Sequence, residues 1–300
     1  MQPSARIARD ITYAGGAGSR GGRAVVRLLE NATGRLSLIR RARGYEAEVA
    51  AGACFWEVIC RRYGISVEVA GGSLDALPRT GPLVVVANHP YGLLDGLVMG
   101  RILSERRPGD FKVLAHEVFA RAPDLCGVVL PIAFRDTREA AEANLRTRAE
   151  ALRHLAAGGA VGVFPGGTVS TAARPLDQPM DPAWRGFTAR MIARSDATVV
   201  PLFFDGHASR LFQVASHLHY TLRLGLLIRE FRVRVGTPVR VAVGRPIPRW
   251  QLDPLRGDAR ATMDLLRAAT YALSPRPLDG RRLGHEFEPH HRRPEPPRGL

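Results

Sequence analysis

Short apolar runs alternate with longer amphipathic segments along most of the chain. β-Branched or alternating runs of four to eight residues predict strands, and apolar residues three or four apart predict helices. Strands are predicted at 65–69, 83–87, 112–115, 128–132, 160–164, 198–204, 232–235 and 239–243. Helices are predicted at 24–43, 45–63, 184–194 and 258–273, and over a segment that starts near Asp136 and Glu139 and ends at Gly158.

This alternation of strands and helices predicts an α/β fold. A mixed, largely parallel sheet flanked by helices is expected, together with an N-terminal helical arm. Three regions differ in composition: a basic arm at 1–44, a main domain at 45–275, and a tail at 276–300 that is rich in Pro, Arg and His. Such a composition buries little apolar surface, so the tail is predicted to be disordered.

Composition indicates a globular protein with a strongly basic surface. Apolar residues make up 45% of the chain, and the formal charge is +15. No apolar run reaches the roughly 18 residues expected of a membrane span. Cys54, Cys60 and Cys126 show no metal or redox spacing. Reduced thiols and a cytoplasmic location are therefore expected.

The positive charge is almost entirely arginine, since Lys112 is the only lysine. An arginine-rich surface attracts anionic lipid, an acidic carrier protein or nucleic acid. Nucleic acid is disfavoured because no basic stripe interleaved with aromatic residues is present. The arm at 1–44 either lies on a membrane surface or packs on the body of the protein.

The main candidate site follows the buried strand at 83–87. Asn88-His89-Pro90 interrupts the strand, and Asp95 follows at the start of a helical pattern. Ligands of open α/β sheets bind at this carboxyl end of a strand. If Asp95 accepts from one ring nitrogen of His89, the other nitrogen can act as a general base. Alternatively, Asp95 only complements the helix dipole and His89 is a turn residue.

Three blocks, in order, resemble motifs of the glycerolipid acyltransferase family. Asn88-His89-Pro90-Tyr91-Gly92-Leu93-Leu94-Asp95-Gly96 resembles its first motif, in the longer form of the haemolysin-like and aminolipid branch. Residues 163–170, Val-Phe-Pro-Gly-Gly-Thr-Val-Ser, are similar to its third motif. Residues 199–206, which contain a Val-Pro pair, resemble its fourth.

The resemblance implies an acyltransferase in which His89 is the general base and Asp95 orients it. It also implies direct attack of an acceptor hydroxyl on an acyl thioester and a channel for the acyl chain. Backbone donors of the 166–168 turn are expected to stabilise an oxyanion or bind phosphate. The candidate substrate-binding residues are Asn88, Gly92, Arg135, Phe164, Pro165, Gly166, Gly167, Thr168 and Arg185.

Two departures from the third motif bear on the acceptor. Gly166 replaces the family's glutamate and Val169 its arginine. In the family these charged positions shape the site for glycerol phosphate. Their loss weakens the case for lysophosphatidic acid and favours another head group, such as a zwitterionic lyso-aminolipid.

The function predicted is O-acylation of a lyso-lipid by a peripheral enzyme on the cytoplasmic face of the inner membrane. The donor is acyl carrier protein or coenzyme A as a thioester, and no other cofactor is expected. N-acylation of the ornithine-lipid type, acylation of 1-acylglycerol 3-phosphate and non-catalytic binding of anionic lipid remain alternatives. His217 and His219 could share a metal on a strand, but no third ligand is evident, so no metal site is predicted.

Overall fold

The computed structural model describes residues 12–116, 119, 123–125, 127–133 and 137–288. Its helices are α1 Arg20–Thr33, α2 Arg35–Ala42, α3 Tyr45–Ala50, α4 Phe55–Tyr63, α5 Leu93–Arg106, α6 Arg138–Ala156, α7 Phe187–Ala193, α8 Arg210–Leu218, α9 Tyr220–Arg232, α10 Arg249–Leu252 and α11 Ala259–Tyr271. Its strands are β1 Ser66–Gly71, β2 Leu83–Ala87, β3 Phe111–His116, β4 Val129–Ile132, β5 Ala160–Val163, β6 Thr171–Ala172, β7 Pro179–Met180, β8 Thr198–Phe204 and β9 Pro238–Val243.

Seven strands form one sheet in the order β1-β9-β8-β2-β5-β3-β4. The five strands from β8 to β4 are parallel, whereas β9 runs antiparallel to β8 and pairs in parallel with β1. The predicted α/β class with a mixed, largely parallel sheet is confirmed. Strand β2 lies between β5 and β8, so its carboxyl end opens at the middle of the sheet.

Alternate residues of β2 enter two different cores, as the period of a strand requires. Leu83, Val85 and Ala87 face a core that includes α4 and α5. Val84 and Val86 face a second core that includes α6, α7 and α11. All five are fully buried, which explains the uninterrupted apolar run in the sequence.

The N-terminal helices are shorter than predicted, because glycines interrupt them. Gly34, with φ of 136°, separates α1 from α2, and Gly52, with φ of 96°, lies between α3 and α4. Helix α1 packs along α9 and so joins the body of the protein. Buried Glu30 accepts bonds from the Thr12 hydroxyl (2.6 Å) and the Tyr13 N–H (2.7 Å), which ties the preceding turn to this helix.

One predicted strand and the predicted tail need correction. Arg232 is the last residue of α9, and residues 233–235 form the turn that follows it, so no strand is present there. Helices α8 and α9 occupy residues 210–232, for which no helix was predicted. The prediction of disorder from 276 is wrong for 276–288. Buried Arg267 donates to the carbonyl oxygens of Gly280 and Arg282 and holds this segment on the body. Residues 289–300 lie outside the described part.

None of the helices in the described residues is both long and apolar enough to cross a membrane.

Replacing Gly100 of α5 with alanine is expected to lower the free energy of unfolding by about 1–3 kcal/mol. The added Cβ would lie 2.2 Å from ring atoms of Trp56, so the ring or the helix must shift. Gly96→Ala in the same helix is the control, because its Cβ meets nothing within 4 Å. Denaturant unfolding of both variants checks this, and equal stability of the two would contradict the packing described.

Candidate active site

The turn after β2 is built around a glycine and a buried carboxylate. Gly92 has φ of 74°, a conformation that favours glycine, and it begins α5. Asp95 Oδ2 accepts from the N–H of Tyr91 (2.8 Å) and of Gly92 (2.9 Å). The carboxylate therefore satisfies backbone donors that the helix leaves unpaired at its first turn.

The same carboxylate holds the imidazole of His89. His89 Nδ1 lies 3.0 Å from Asp95 Oδ2, and Asp95 is fully buried while the histidine side chain is 19% exposed. Burial raises the pKa of Asp95, and the nearby His89 and the two N–H groups oppose that rise. The prediction that these side chains meet is confirmed. Nε2 is then the ring nitrogen that can accept a proton.

Phe164, at the end of β5, stacks on the His89 ring with 4.4 Å between the ring centroids. Beyond it, the Gly167 N–H donates to Phe164 O (3.0 Å), so one predicted oxyanion donor is engaged within its own turn. Pro165 O accepts from the Arg185 N–H (2.9 Å). The 164–168 turn therefore lies beside His89, and Arg185 is anchored to it.

Asn88 joins β2 to the neighbouring strand β8. Its Nδ2 donates to Phe204 O (3.0 Å), and its Oδ1 accepts from Phe204 N (2.7 Å). Both ends of the amide thus bind backbone at the carboxyl edge of the sheet. This contact fixes the start of the turn that carries His89.

Asp181 connects the histidine turn with the 164–170 segment. Its Oδ1 accepts from the His89 N–H (3.2 Å) and from the Ser170 hydroxyl, and its Oδ2 accepts from Trp184 Nε1 (2.8 Å). The Ser170 N–H also donates to His89 O (2.8 Å). Asp181 is fully buried and was not predicted. A single Met-Asp-Pro triplet gives no sequence signal for such a role.

Arg223 of α9 was also missed by the sequence analysis. It is buried and donates to Thr168 Oγ1 (2.9 Å), Val169 O (2.8 Å), Thr171 Oγ1 (2.6 Å) and Ser216 Oγ (3.1 Å). Burial lowers its pKa to about 10. Arg223 lies 55 residues from Thr168 in sequence, so no local pattern could relate them.

Asp181 and Arg223 supply to the turn the two kinds of charge that its own sequence lacks. A Cβ added to Gly166 would lie 3.3 Å from side-chain atoms of Asp181, so a glutamate there would have little room. Arg223 reaches the backbone of Val169. The turn is therefore contacted by a carboxylate and a guanidinium that other parts of the chain supply.

Arg185 was predicted to bind an anion, and it contacts two carboxylates of the C-terminal segment. Its Nη2 lies 3.1 Å from Glu288 Oε1 and 3.8 Å from Glu286 Oε1. Its guanidinium lies against Gly167, since a Cβ added there would be 3.1 Å from Cζ. The predicted Arg135 lies outside the described residues.

A cavity of about 160 Å³ opens beside this cluster. Its lining includes Asn88, which precedes His89, and Ser170, which binds Asp181, but not the imidazole ring. Residues Ser274, Arg276, Pro277 and Leu278 of the C-terminal segment form part of its wall. This cavity therefore does not border the imidazole ring, and the acyl channel at His89 stays a prediction.

The two histidines considered as metal ligands make other contacts. His217 Nε2 lies 2.9 Å from Ala172 O, and His219 Nδ1 accepts from the Thr221 N–H (3.1 Å). They lie at helix ends rather than on a strand. Within the part of the chain that the structure describes, no cluster of His, Cys, Asp and Glu has a metal-binding arrangement.

The molecule is thus an α/β protein with a histidine–carboxylate pair at the carboxyl edge of its sheet. A family model described as acyltransferase matches residues 41–279. The chain belongs to this acyltransferase family, and it is an acyltransferase. The resemblance seen in the motifs is confirmed.

Curated relatives cover most of the same region. The lyso-glycine lipid O-acyltransferase of Phocaeicola vulgatus is 25% identical over 211 residues, which are 67% of this chain and 70% of the relative. The lyso-glycine lipid O-acyltransferase of Bacteroides thetaiotaomicron is 25% identical over 69% of this chain and 74% of the relative. A solved structure, the 1-acyl-sn-glycerophosphate (LPA) acyltransferase PlsC from Thermotoga maritima, is 17% identical, with a TM-score of 0.38 over 71% of this chain and 82% of that one.

Replacing Asn88 with alanine is expected to lower both stability and acyl transfer, because it frees two buried backbone groups next to His89. Asn144→Ala is a matched control, since Asn144 makes the same paired bonds with the backbone of Ala133 (2.8 and 2.9 Å) away from the site. Each variant should lose about 1–3 kcal/mol of unfolding free energy. Only Asn88→Ala should lose activity beyond that explained by unfolding; an equal loss in Asn144→Ala would contradict the positioning role.

Proposed function

We propose that this acyltransferase moves a fatty acyl group from a thioester to the hydroxyl of a lyso-lipid that carries an amino-acid head group. The observation that carries the proposal is the His89 Nδ1–Asp95 Oδ2 distance of 3.0 Å at the sheet edge. An imidazole held by a buried carboxylate is suited to remove a proton from a hydroxyl. The names of the curated relatives support the lyso-lipid acceptor and the O-acyl product.

In the proposed reaction His89 Nε2 takes the proton of the acceptor hydroxyl as its oxygen attacks the thioester carbonyl. A tetrahedral oxyanion forms; it collapses as the C–S bond breaks, and the thiolate leaves. The thiolate then takes the proton from the imidazolium, which restores neutral His89. Asp95 stabilises the imidazolium and fixes the ring so that Nε2 faces the hydroxyl. Acyl carrier protein and coenzyme A are the candidate donors, since both are acidic and the protein carries a net charge of +15.

The surroundings of the turn support an acceptor other than lysophosphatidic acid. Gly166 packs on buried Asp181, so the family's glutamate is replaced by a carboxylate that is already engaged with Ser170, Trp184 and the His89 N–H. A zwitterionic or amino-acid head group remains our proposal for the acceptor.

We further propose that the protein binds an anionic membrane surface through α1 and α8, which both pack on α9. Leu211, Val214 and Leu218 form an exposed stripe on α8. Helix α1 exposes Leu28 and carries three exposed arginines, Arg20, Arg23 and Arg27. Apolar side chains next to arginines favour insertion at the boundary between headgroups and acyl chains.

His89→Ala is expected to lower kcat for acylation of a lyso-aminolipid by about 10²–10⁴-fold, the usual contribution of a general base. Asp95→Asn should also lower kcat while the fold persists, since an amide oxygen can still accept from Tyr91 and Gly92. His154→Ala is the control. This histidine of α6 lies near Asp110, the residue before the amino end of β3, and its side chain has a similar exposure of 16%. Steady-state kinetics with radiolabelled acyl thioester checks this; full activity of His89→Ala would reject the mechanism.

Replacing Leu211 and Leu218 together with glutamine is expected to weaken binding to vesicles of phosphatidylglycerol and phosphatidylcholine by tenfold or more, because each leucine would lose about 1.5–3 kcal/mol of burial. Leu176→Gln is the control, since Leu176 is 75% exposed in the connection between β6 and β7. Co-sedimentation measures the partition coefficient. If vesicle binding falls equally in the control and in the double variant, the exposed stripe of α8 is not the membrane contact.

A further inference from the structure

The last described residues form a strap, residues 284–288, across the turn beside His89. The Gly284 N–H donates to Asp181 O (2.8 Å), and the His285 N–H donates to Thr171 O (2.9 Å). These bonds attach the strap to the segments that flank the 164–168 turn. They also direct the next three residues, Glu286, Phe287 and Glu288, over the two arginines of that turn.

The strap brings two carboxylates and an aromatic ring to Arg185 and Arg223. Glu286 and Glu288 lie 3.8 and 3.1 Å from Arg185 Nη2. The Phe287 ring covers Arg223, with 4.3 Å between the guanidinium carbon and the ring centroid. Arg185 borders Gly167, and Arg223 donates to Thr168, so both cations belong to one turn.

Arg223 is a buried cation whose hydrogen bonds in the described structure go to neutral oxygens. Burial lowers its pKa to about 10, and Tyr220 and then Glu286 oppose that effect. A buried charge needs compensation from an opposite charge nearby. At this turn Glu286 of the strap contributes to that compensation, and another carboxylate in the same place would do the same.

We infer that Arg185, supported by the buried charge of Arg223 at the same turn, forms a subsite for the carboxylate of the acceptor's head group, and that the strap's Glu286 and Glu288 occupy it until the acceptor displaces them. This inference rests on the proposed function and specifies its substrate: a lyso-lipid built on an amino acid whose amine is acylated and whose carboxylate is free. The carboxylate of such a head group is planar and singly charged, like the carboxylate of a glutamate side chain. The subsite lies on the turn that also carries Phe164, which stacks on His89, so the acceptor would be held next to the base.

Binding of soluble probes tests the subsite without turnover. The probes are N-dodecanoylglycine, its uncharged amide N-dodecanoylglycinamide, and dodecyl phosphate, each below its micelle concentration and measured by calorimetry with the full-length chain. Glu286→Gln with Glu288→Gln should tighten binding of N-dodecanoylglycine by about tenfold, the scale of one charge-assisted hydrogen bond. Binding of the amide should stay within about twofold.

Gly284→Ala is expected to displace the strap without changing any charge. Its Cβ would lie 1.8 Å from Met180 O and 2.4 Å from Thr171 O, so the strap must lift away. This variant should also tighten binding of N-dodecanoylglycine. Arg185→Gln should weaken that binding by about tenfold and leave the amide unaffected.

Charge-matched controls come from exposed ion pairs on other helices. Glu105→Gln with Glu142→Gln matches the strap double variant, and Arg138→Gln matches Arg185→Gln. The inference is overturned if the strap variants bind N-dodecanoylglycine no better than these controls do. It is also overturned if release of the strap favours dodecyl phosphate over N-dodecanoylglycine.

Acyl-transfer assays on the same proteins separate this inference from the proposed function. If no lyso-lipid is acylated while probe binding responds as described, the proposed function is wrong and the carboxylate subsite stands. If lyso-aminolipids are acylated but the strap and Arg185 substitutions leave probe affinity unchanged, the subsite is wrong and the function stands. If both respond, KM for the carboxylate acceptor should fall in the strap variants with little change in kcat.

Discussion

One oxygen atom, Asp95 Oδ2, organises the candidate site. It accepts the N–H groups of Tyr91 and Gly92 and lies 3.0 Å from His89 Nδ1. Because the carboxylate is fully buried, its charge is costly unless these partners are in place. The backbone at the start of α5 and the orientation of the imidazole therefore depend on the same oxygen atom. The same atom of Asp95 thus contacts both the first turn of α5 and the imidazole, and the general-base role of His89 stays a proposal.

A second buried carboxylate keeps this arrangement aligned with the rest of the sheet edge. Asp181 binds the backbone of His89 and the hydroxyl of Ser170, and Asn88 binds the backbone of Phe204. The ends of β2 and β8 and the segment around Ser170 that follows β5 are therefore joined by polar contacts next to the imidazole. Parallel strands bring their carboxyl ends together, but these side chains fix the ends relative to each other.

The arginines of this protein serve different purposes according to their burial. Many are exposed and give the molecule its basic surface. Arg267 and Arg223 are buried, and each holds distant segments through several carbonyl or hydroxyl oxygens. A planar guanidinium with five donors suits that role better than an ammonium group would. The near absence of lysine is consistent with this use of arginine inside the fold as well as outside it.

The sequence by itself determined the local features: the buried strand at 83–87, the α/β class, the turn that joins His89 to Asp95, and the resemblance to an acyltransferase family. These depend on residue periodicity and on spacings of a few residues, which a chain carries in its own order. Only the tertiary structure decided that Asp181, Arg223, Glu286 and Glu288 meet at the turn near Gly166. Asp181 lies 92 residues from His89, and Arg223 lies 55 residues from Thr168. An isolated buried charge also has no periodic signature. The strap was mispredicted because contacts with distant residues hold it on the body. The break at Gly34 and the helix that ends at Arg232 were missed although local features, a glycine with positive φ and a helical pattern, account for them.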